Sequence, residues 1–320
     1  MKKVIGVDVG NYDTKTAHTT IPSGYVTSKT LPPETDEYIL YKGTYYIPTQ
    51  KRFPYRMDKT RDERGLILTL FGISKEVLFS LGNVATNIQK DLVVDFNELA
   101  LGVGLPPAHF STLKTKTHDY YMAHLKDGIS YEYNGIPFSF KLTDFYVFAQ
   151  DYAAVIADEA GFALLEKYSE GIVYAIDIGG MTVDYVPIIK RRPDMANADS
   201  IEYGMNKMYD MIIQRTMMEF GHAITPTNIE QVLLQKENVI PQEGRDLIEA
   251  NAERWAVSIV DALREKGMDL WANPGVFMGG GSILLHRFLK NTGMVDNSVF
   301  LNSVNVNASA YTYGMRNYLK

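Results

Sequence analysis

Two aspartates in this chain stand in nearly the same local setting, and that setting suits the handling of a phosphate ester and its metal ion. The first is Asp8, in Val4-Ile5-Gly6-Val7-Asp8-Val9-Gly10-Asn11-Tyr12-Asp13-Thr14-Lys15. The second is Asp177, in Val173-Tyr174-Ala175-Ile176-Asp177-Ile178-Gly179-Gly180-Met181-Thr182-Val183-Asp184. Each copy is an apolar, β-branched run ending in Asp-x-Gly, followed by a tight turn and a second strand. The glycines let backbone N–H groups close on an oxyanion, and Asp8 and Asp177 sit where a phosphate-bound Mg²⁺ needs oxygen ligands, largely through water. A hairpin of this size brings the ammonium of Lys15 back alongside the turn, where it can meet a phosphate. A third segment, Gly279-Gly280-Gly281-Ser282, falls between a predicted strand and a predicted helix. Its glycines let the backbone approach a flat ring or a phosphate, and the helix N-terminus adds positive potential. Two such hairpins about half a chain apart predict two related halves holding one nucleotide between them.

The elements that must position these residues alternate along the chain. The first hairpin spans 1–20, and residues 21–75 then change character, rich in Pro, Tyr, Lys and Arg, reading as an irregular excursion that ends in a helix near Leu66. Leu99–Leu105 reads as a buried strand stopped by Pro106-Pro107. A helix near Phe110–Lys126, a hairpin turning at Asn134-Gly135 and a helix running to about Tyr168 follow. Glu170-Gly171 is the expected domain boundary. Beyond it come the second hairpin, Ile172–Ile189, and an amphipathic helix over 204–220, with Met205, Met208, Ile212, Thr216 and Phe220 on one face and Gly221 as its stop. Helices at 227–235 and 242–266, a strand at Gly275–Met278, a helix from Ile283, a short strand near Val299 and a last helix capped by Asn307 complete the pattern. Alternation of strands and helices predicts an α/β architecture. The expected division is 1–169, with an inserted subdomain at about 21–98 and the terminal helix 307–320, against 170–306.

Composition narrows the classes. The chain has 320 residues, 46% hydrophobic and 22% charged, ordinary for a globular protein with substantial cores. No long apolar run spans a membrane, and the start of the chain, Met1-Lys2-Lys3 and then a strand, has no signal-peptide pattern. The absence of cysteine rules out disulfides, thiolate metal sites and cysteine nucleophiles and points to the cytoplasm. A net charge of −6 argues against direct, non-specific nucleic-acid binding.

Taken in this order and at these separations, the motifs resemble the actin-like ATPase superfamily: actins, bacterial filament proteins, sugar kinases and the 70-kilodalton chaperones. Phosphate-1 of that family looks like Asp8 to Lys15, phosphate-2 like Asp177 to Asp184, and the adenosine motif like Val276-Phe277-Met278-Gly279-Gly280-Gly281-Ser282. Connect-1 fits Tyr146 to Ala154, where filament members carry a glutamine or glutamate that orients the attacking water. Asp-Ile-Gly-Gly-x-Thr-x-Asp from Asp177, together with Gly102-Val103-Gly104-Leu105-Pro106, is most similar to the plasmid-segregating actin-like proteins of the ParM type, and an archaeal branch of actin-like proteins shares much of the pattern. Residues 21–98 align with none of it.

The resemblance implies an actin-like (ribonuclease H-like) fold, two related α/β domains around a nucleotide cleft. It implies ATP or GTP with Mg²⁺ as cofactor, and slow hydrolysis coupled to polymerisation. Amides of Gly10, Asn11 and Tyr12 and of Gly179, Gly180 and Met181 would hold the β- and γ-phosphates. Asp8 and Asp177 would hold Mg²⁺, Lys15 would offset charge, and Gln150 would orient the water rather than deprotonate it. Thr182 and Asp184 would lie by the γ-phosphate or the water shell, and Lys207, with Glu202, would lie by the ribose. Each has a plainer counterpart: Thr182 as a strand former, Asp184 satisfying turn amides, Ser282 as a helix cap, Asp151 rivalling Gln150. The implied function is a filament that segregates plasmid DNA through a ParR-like adaptor on centromere-like DNA, with other copies of the chain as partners and no membrane contact. The Tyr-rich stretch 38–55 could serve as a filament contact or as the packing of a small subdomain. Two alternatives remain: a sugar-type kinase of the same superfamily, with Asp151 as its base, and a membrane-tethered actin relative of division or pilus assembly, for which the tail lacks a basic amphipathic face.

Overall fold

The computed structural model describes residues 2–33, 36–54, 56–82 and 92–320, so parts of the expected insertion at 21–98 (34, 35, 55 and 83–91) lie outside the described residues. The chain divides into two compact units, Met1–Ala157 with Asn305–Lys320, and Asp158–Val304.

The first unit is built on one sheet. Its strands are β1 (Lys3–Val9), β2 (Asp13–Lys15), β3 (Thr20–Pro22), β4 (Tyr25–Ser28), β5 (Ile39–Tyr41) and β6 (Thr44–Pro48). After helix α1 (Arg64–Ser80) come β7 (Val94–Leu105), helix α2 (Pro107–Leu125), β8 (Ile129–Tyr133), β9 (Ile136–Ala149) and the short helix α3 (Tyr152–Ala157). The strand order is β3-β2-β1-β7-β9-β8-β5-β6-β4. β1 pairs parallel to β7, and β7 parallel to β9; β1 and the second half of β7 are apolar and buried, while β9 alternates buried and exposed positions. The expected excursion therefore does not stand apart from the sheet: β4, β5 and β6 extend it through β8. Tyr41 and Tyr46 are buried there, which makes them packing residues. α1 lies over the sheet with Leu66, Ile67, Leu70, Phe71 and Ile73 inside the core. The β8–β9 hairpin turns at Asn134 (φ 50°) and Gly135 (φ 77°), the positive pair that a two-residue turn requires.

The second unit opens with α4 (Glu159–Lys167), then β10 (Ile172–Ile178), β11 (Val183–Ile189), β12 (Arg192–Pro193) and β13 (Asp199–Ile201). Helices α5 (Met205–Phe220), α6 (Pro226–Leu233) and α7 (Gln242–Glu265) follow, then β14 (Gly275–Met278), α8 (Gly280–Asn291) and β15 (Val299–Phe300). The order is β12-β11-β10-β14-β15, with β13 also on β11. In each unit an antiparallel hairpin presents its first strand to a parallel neighbour: β1 to β7, and β10 to β14. The internal repeat read in the sequence is thus a repeat of topology. Met205, Met208, Ile212 and Thr216 of α5 are buried as its periodicity requires, and Gly221 ends it at φ 72°.

The division corrects the expected boundary. Asp158 accepts hydrogen bonds from the amides of Ala160 (2.9 Å) and Gly161 (3.1 Å), which starts a new helix where one continuous helix was read. α4 belongs to the second unit, where Glu166 pairs with Arg191 at 2.7 Å. The last helix, α9 (Val306–Tyr318), returns to the first unit. Its flanking cap is Asn305, and Asn307 lies inside the helix, contrary to the cap expected there. α9 approaches β1 and β7 closely because Gly6, Gly102 and Gly104 have no side chains. A Cβ on Gly104 would occupy the place of the Tyr311 ring, and Gly6 N–H donates to Thr312 Oγ1 at 2.8 Å.

Candidate functional site

In the first unit the site grows from the end of β1. Asp8 pairs across the hairpin with Lys15, as the turn length predicts. Its carboxyl is 8% exposed, and Gln150 Nε2 donates to Oδ1 at 2.7 Å. Burial raises its pKa above the ordinary carboxylate value, while the ammonium groups of Lys15 and Lys59 and the Gln150 hydrogen bond oppose the rise. Gln150 is aimed by its backbone: its amide donates to the Leu105 carbonyl at 3.0 Å, and the next residue, Asp151, turns the chain at φ 64°. Asp151 is 1% exposed, and its amide donates to Asn307 Oδ1 at 3.0 Å, so α9 holds this corner.

The turn itself is pinned through its carbonyls. Ser23 Oγ donates to the Gly10 carbonyl (2.7 Å), and Ser23 N and Arg52 Nε donate to that of Tyr12 (3.0 and 3.2 Å). Lys59 Nζ donates to the carbonyl of Val9. Arg52 also stacks its guanidinium on the Tyr12 ring at 4.2 Å and pairs with Asp13 at 3.2 Å. These bonds fix the turn that carries the amides of Gly10, Asn11 and Tyr12.

In the second unit the parallel register sets Asp177 beside Met278, so the second Asp-x-Gly turn and the glycine segment are neighbours. A Cβ on Gly279 would run into Asp177 Oδ1, and Gly279 has φ 86°. The amide of Gly179 donates to the Thr182 carbonyl at 2.9 Å, so it closes the turn instead of joining the expected phosphate cradle. That leaves Gly180 and Met181 at the tip, with Met181 42% exposed. Asp184 pairs in register with Asp177 and accepts a hydrogen bond from Ser200 Oγ. α8 begins at Gly280, not at Ile283, which places Gly280, Gly281 and Ser282 in its first turn. Ser282 is buried and its Oγ donates to the Gly279 carbonyl at 2.9 Å; the cap position is Gly279, so Ser282 lies inside the helix and is not the cap of its plainer reading. Lys207 Nζ reaches the Glu202 carbonyl at 3.5 Å, which joins the two residues named for the ribose.

Sequence reasoning missed four contributors. Lys59, Arg52 and Ser23 carry no local pattern that singles them out. Gly204 does carry a signal, a glycine directly before an amphipathic helix. A Cβ there would come within 2.5 Å of the Gly180 carbonyl oxygen, while the amides of Met205 and Asn206 donate to the carbonyls of Gly179 (3.0 Å) and Gly180 (2.9 Å). The start of α5 thereby sets the shape of the second turn.

Among the described residues no three His, Asp or Glu side chains gather as a metal cage. Mg²⁺ does not need one, since it keeps waters and takes one or two carboxylates plus phosphate oxygens. Asp8, a buried carboxyl beside the turn that carries the Gly10–Tyr12 amides, is a candidate for one such ligand. No described helix is long and apolar enough to cross a membrane.

The fold is the actin-like fold that the sequence resemblance implies. Within the second unit, residues 175–291 match the family described as archaeal actin homologue MreB-like, C-terminal. Among solved structures, the archaeal actin homologue Ta0583 is similar over 98% of this chain and 100% of its own, at 17% identity and a TM-score of 0.74. Its complex with ADP gives a TM-score of 0.69 at 18% identity, with 99% of each chain covered. A 15-stranded ParM filament from Clostridium botulinum is similar at 18% identity and a TM-score of 0.68, over 99% of this chain and 100% of that one. The AlfA filament bound to AMPPNP is similar at 14% identity and a TM-score of 0.60, with all of both chains covered. No curated protein matches the sequence.

Proposed function

We propose that this protein is a nucleotide-driven, filament-forming ATPase or GTPase that segregates plasmid DNA through a DNA-binding adaptor. The observation that carries the reading is the meeting of Asp8, Lys15 and Gln150, residues 142 positions apart at their widest, at one phosphate-loop turn. Gln150 donates through Nε2 to Asp8 and keeps Oε1 as an acceptor, so it orients a water without taking its proton. Amides of Gly10–Tyr12 would bind phosphate oxygens and Lys15 would offset their charge, while Gly180 and Met181 are the amides that the second turn offers. Asp8 would hold Mg²⁺ largely through water, with Asp177 the corresponding carboxyl of the second turn, and the ion would supply charge neutralisation. Nothing in the set activates a nucleophile strongly, which supports slow turnover suited to timing a polymer.

Self-association and nucleotide use are also supported by the neighbours, which include filaments and complexes with ADP and AMPPNP. The acidic net charge of −6 favours an indirect hold on DNA, through a ParR-like adaptor on centromere-like sites, in the cytoplasm and without a membrane. The kinase alternative draws no support from Asp151, because a carboxyl 1% exposed offers no face to a sugar hydroxyl.

The test is right-angle light scattering of the purified protein on adding ATP-Mg²⁺ or GTP-Mg²⁺, repeated with Asp177→Ala. A nucleotide-triggered rise followed by decay, with the decay lost in the variant, is expected and ranks the two nucleotides. Flat scattering alongside nucleotide binding would sink the filament reading.

A further inference from the structure

One cation beside the first turn has no part in the reading above. Lys59 belongs to the stretch between β6 and α1, yet its Nζ donates to the Val9 carbonyl, one residue before the amides of Gly10–Tyr12. Its charge falls on the Asp8 carboxyl, next after that of Lys15. The backbone that carries it is held from several sides. Buried Asp58 accepts from Thr60 N (3.0 Å), Thr60 Oγ1 (2.6 Å) and Lys116 Nζ (2.6 Å). Tyr120 donates to the Asp62 carbonyl at 2.8 Å, and the Asp62 carboxylate pairs with both Arg56 and Arg64. The Lys59 carbonyl rests on Gly65, where a Cβ would come within 2.9 Å. A lysine on so fixed a backbone moves by its four-carbon stem alone. It lines a small surface recess together with Val9, Gly10 and Asn11 of the turn and with Phe53 and Gly65.

We propose that Lys59 is a specificity-determining residue for the nucleotide: its ammonium exchanges the Val9 carbonyl for a terminal phosphate oxygen, and so favours a nucleoside triphosphate over a diphosphate. The inference rests on the proposed nucleotide site and deepens it. A bond from an ammonium to an anionic phosphate oxygen adds the attraction of opposite charges to the charge–dipole bond it makes with a carbonyl, so the exchange is favourable when the γ-phosphate is present. A diphosphate lacks that group and leaves Lys59 on Val9. Lys15, fixed in the strand opposite Asp8, meets both kinds of nucleotide alike.

The experiment is calorimetric titration of the full chain, below its assembly concentration, with Mg-AMPPNP and Mg-ADP, for wild type, Lys59→Met and Lys59→Arg. Lys59→Met is expected to lose about tenfold or more in AMPPNP affinity, the scale of a lost charged hydrogen bond. ADP affinity is expected to hold within about twofold, since the bonds to the other phosphates remain. Lys59→Arg, which keeps charge and reach, should restore most of the preference. Equal losses for both nucleotides, or no loss for either, overturn the role of Lys59 while leaving the nucleotide site standing. If the Met variant does not fold, Lys59→Gln carries the same comparison. A wild type that binds neither nucleotide overturns the site itself and Lys59 with it.

Discussion

Gly280 and Gly281 are adjacent in the first turn of α8, and replacing each by alanine should have opposite effects. A Cβ on Gly281 would come within 2.8 Å of the Ile178 carbonyl oxygen and 2.8 Å of Met205 Cγ, closer than real side chains come. Relief requires β10 and α8 to separate, an overpacking cost of about 1–3 kcal/mol. A Cβ on Gly280 meets nothing within 4 Å, and its φ is not positive. Gly280→Ala should then stabilise by about 0.5–1 kcal/mol through the lower entropy of the unfolded chain. The difference is about 2–4 kcal/mol, a shift of roughly 1–2 M in urea midpoint at the slopes usual for small proteins. Urea unfolding followed by tryptophan fluorescence reads this unit selectively, because both tryptophans, Trp255 and Trp271, lie in it. Trp255 is buried against Tyr203, the residue before Gly204. The open face at Gly280 adds a second readout: a nucleotide lying on it loses affinity to Gly280→Ala while the protein is no less stable. Gly280→Ala unfolding as early as Gly281→Ala, or Gly281→Ala keeping the wild-type midpoint, would refute the reasoning.

Gly204→Ala drives a methyl into the Gly180 carbonyl and disturbs two amide bonds from α5, so a loss of about 2–4 kcal/mol is expected, with weaker nucleotide binding, measured by the same unfolding assay and by titration. Gln150→Ala removes the amide that the proposed function assigns to orienting the water, and none of the amides assigned to the phosphates. Turnover should fall about a hundredfold at little cost in nucleotide affinity, and steady-state hydrolysis with binding measured in parallel separates the two. Asp8 has its pKa raised in the folded state by burial, so its charged form is disfavoured there. Its contribution to stability is present at low pH and lost as pH rises from the unfolded value of about 3.9 through the raised folded value. Asp8→Asn should therefore stabilise the nucleotide-free protein at neutral pH and flatten its pH dependence. Mg-nucleotide binding needs the carboxylate ionised, so wild-type affinity should weaken as pH falls toward the raised value, and the Asn variant should bind weakly at every pH. An Asn variant less stable than wild type at neutral pH would contradict this account.

The sequence by itself determined whatever depends on near neighbours along the chain. The two Asp-x-Gly hairpins, the Asp8–Lys15 register, the Asn134-Gly135 turn and the apolar face of α5 follow from strand period, turn chemistry and helical spacing, which a few residues set between themselves. Tertiary structure decided the rest. Gln150 reaches Asp8 because Leu105 and Asn307 hold its corner, and Lys59 reaches Val9 because α2 anchors the stretch before α1. No periodicity marks such pairs, since each depends on which distant backbone is packed alongside. The glycines show the same division. Gly6, Gly102 and Gly104 look like strand or motif residues in sequence, and only the return of α9 shows that they clear space for it. Gly279, Gly280 and Gly281 are alike as letters. The first holds a positive φ against Asp177, the third admits Ile178 and Met205, and the middle one faces open space, because local sequence sets what a backbone can do and its packed neighbours set what it must do.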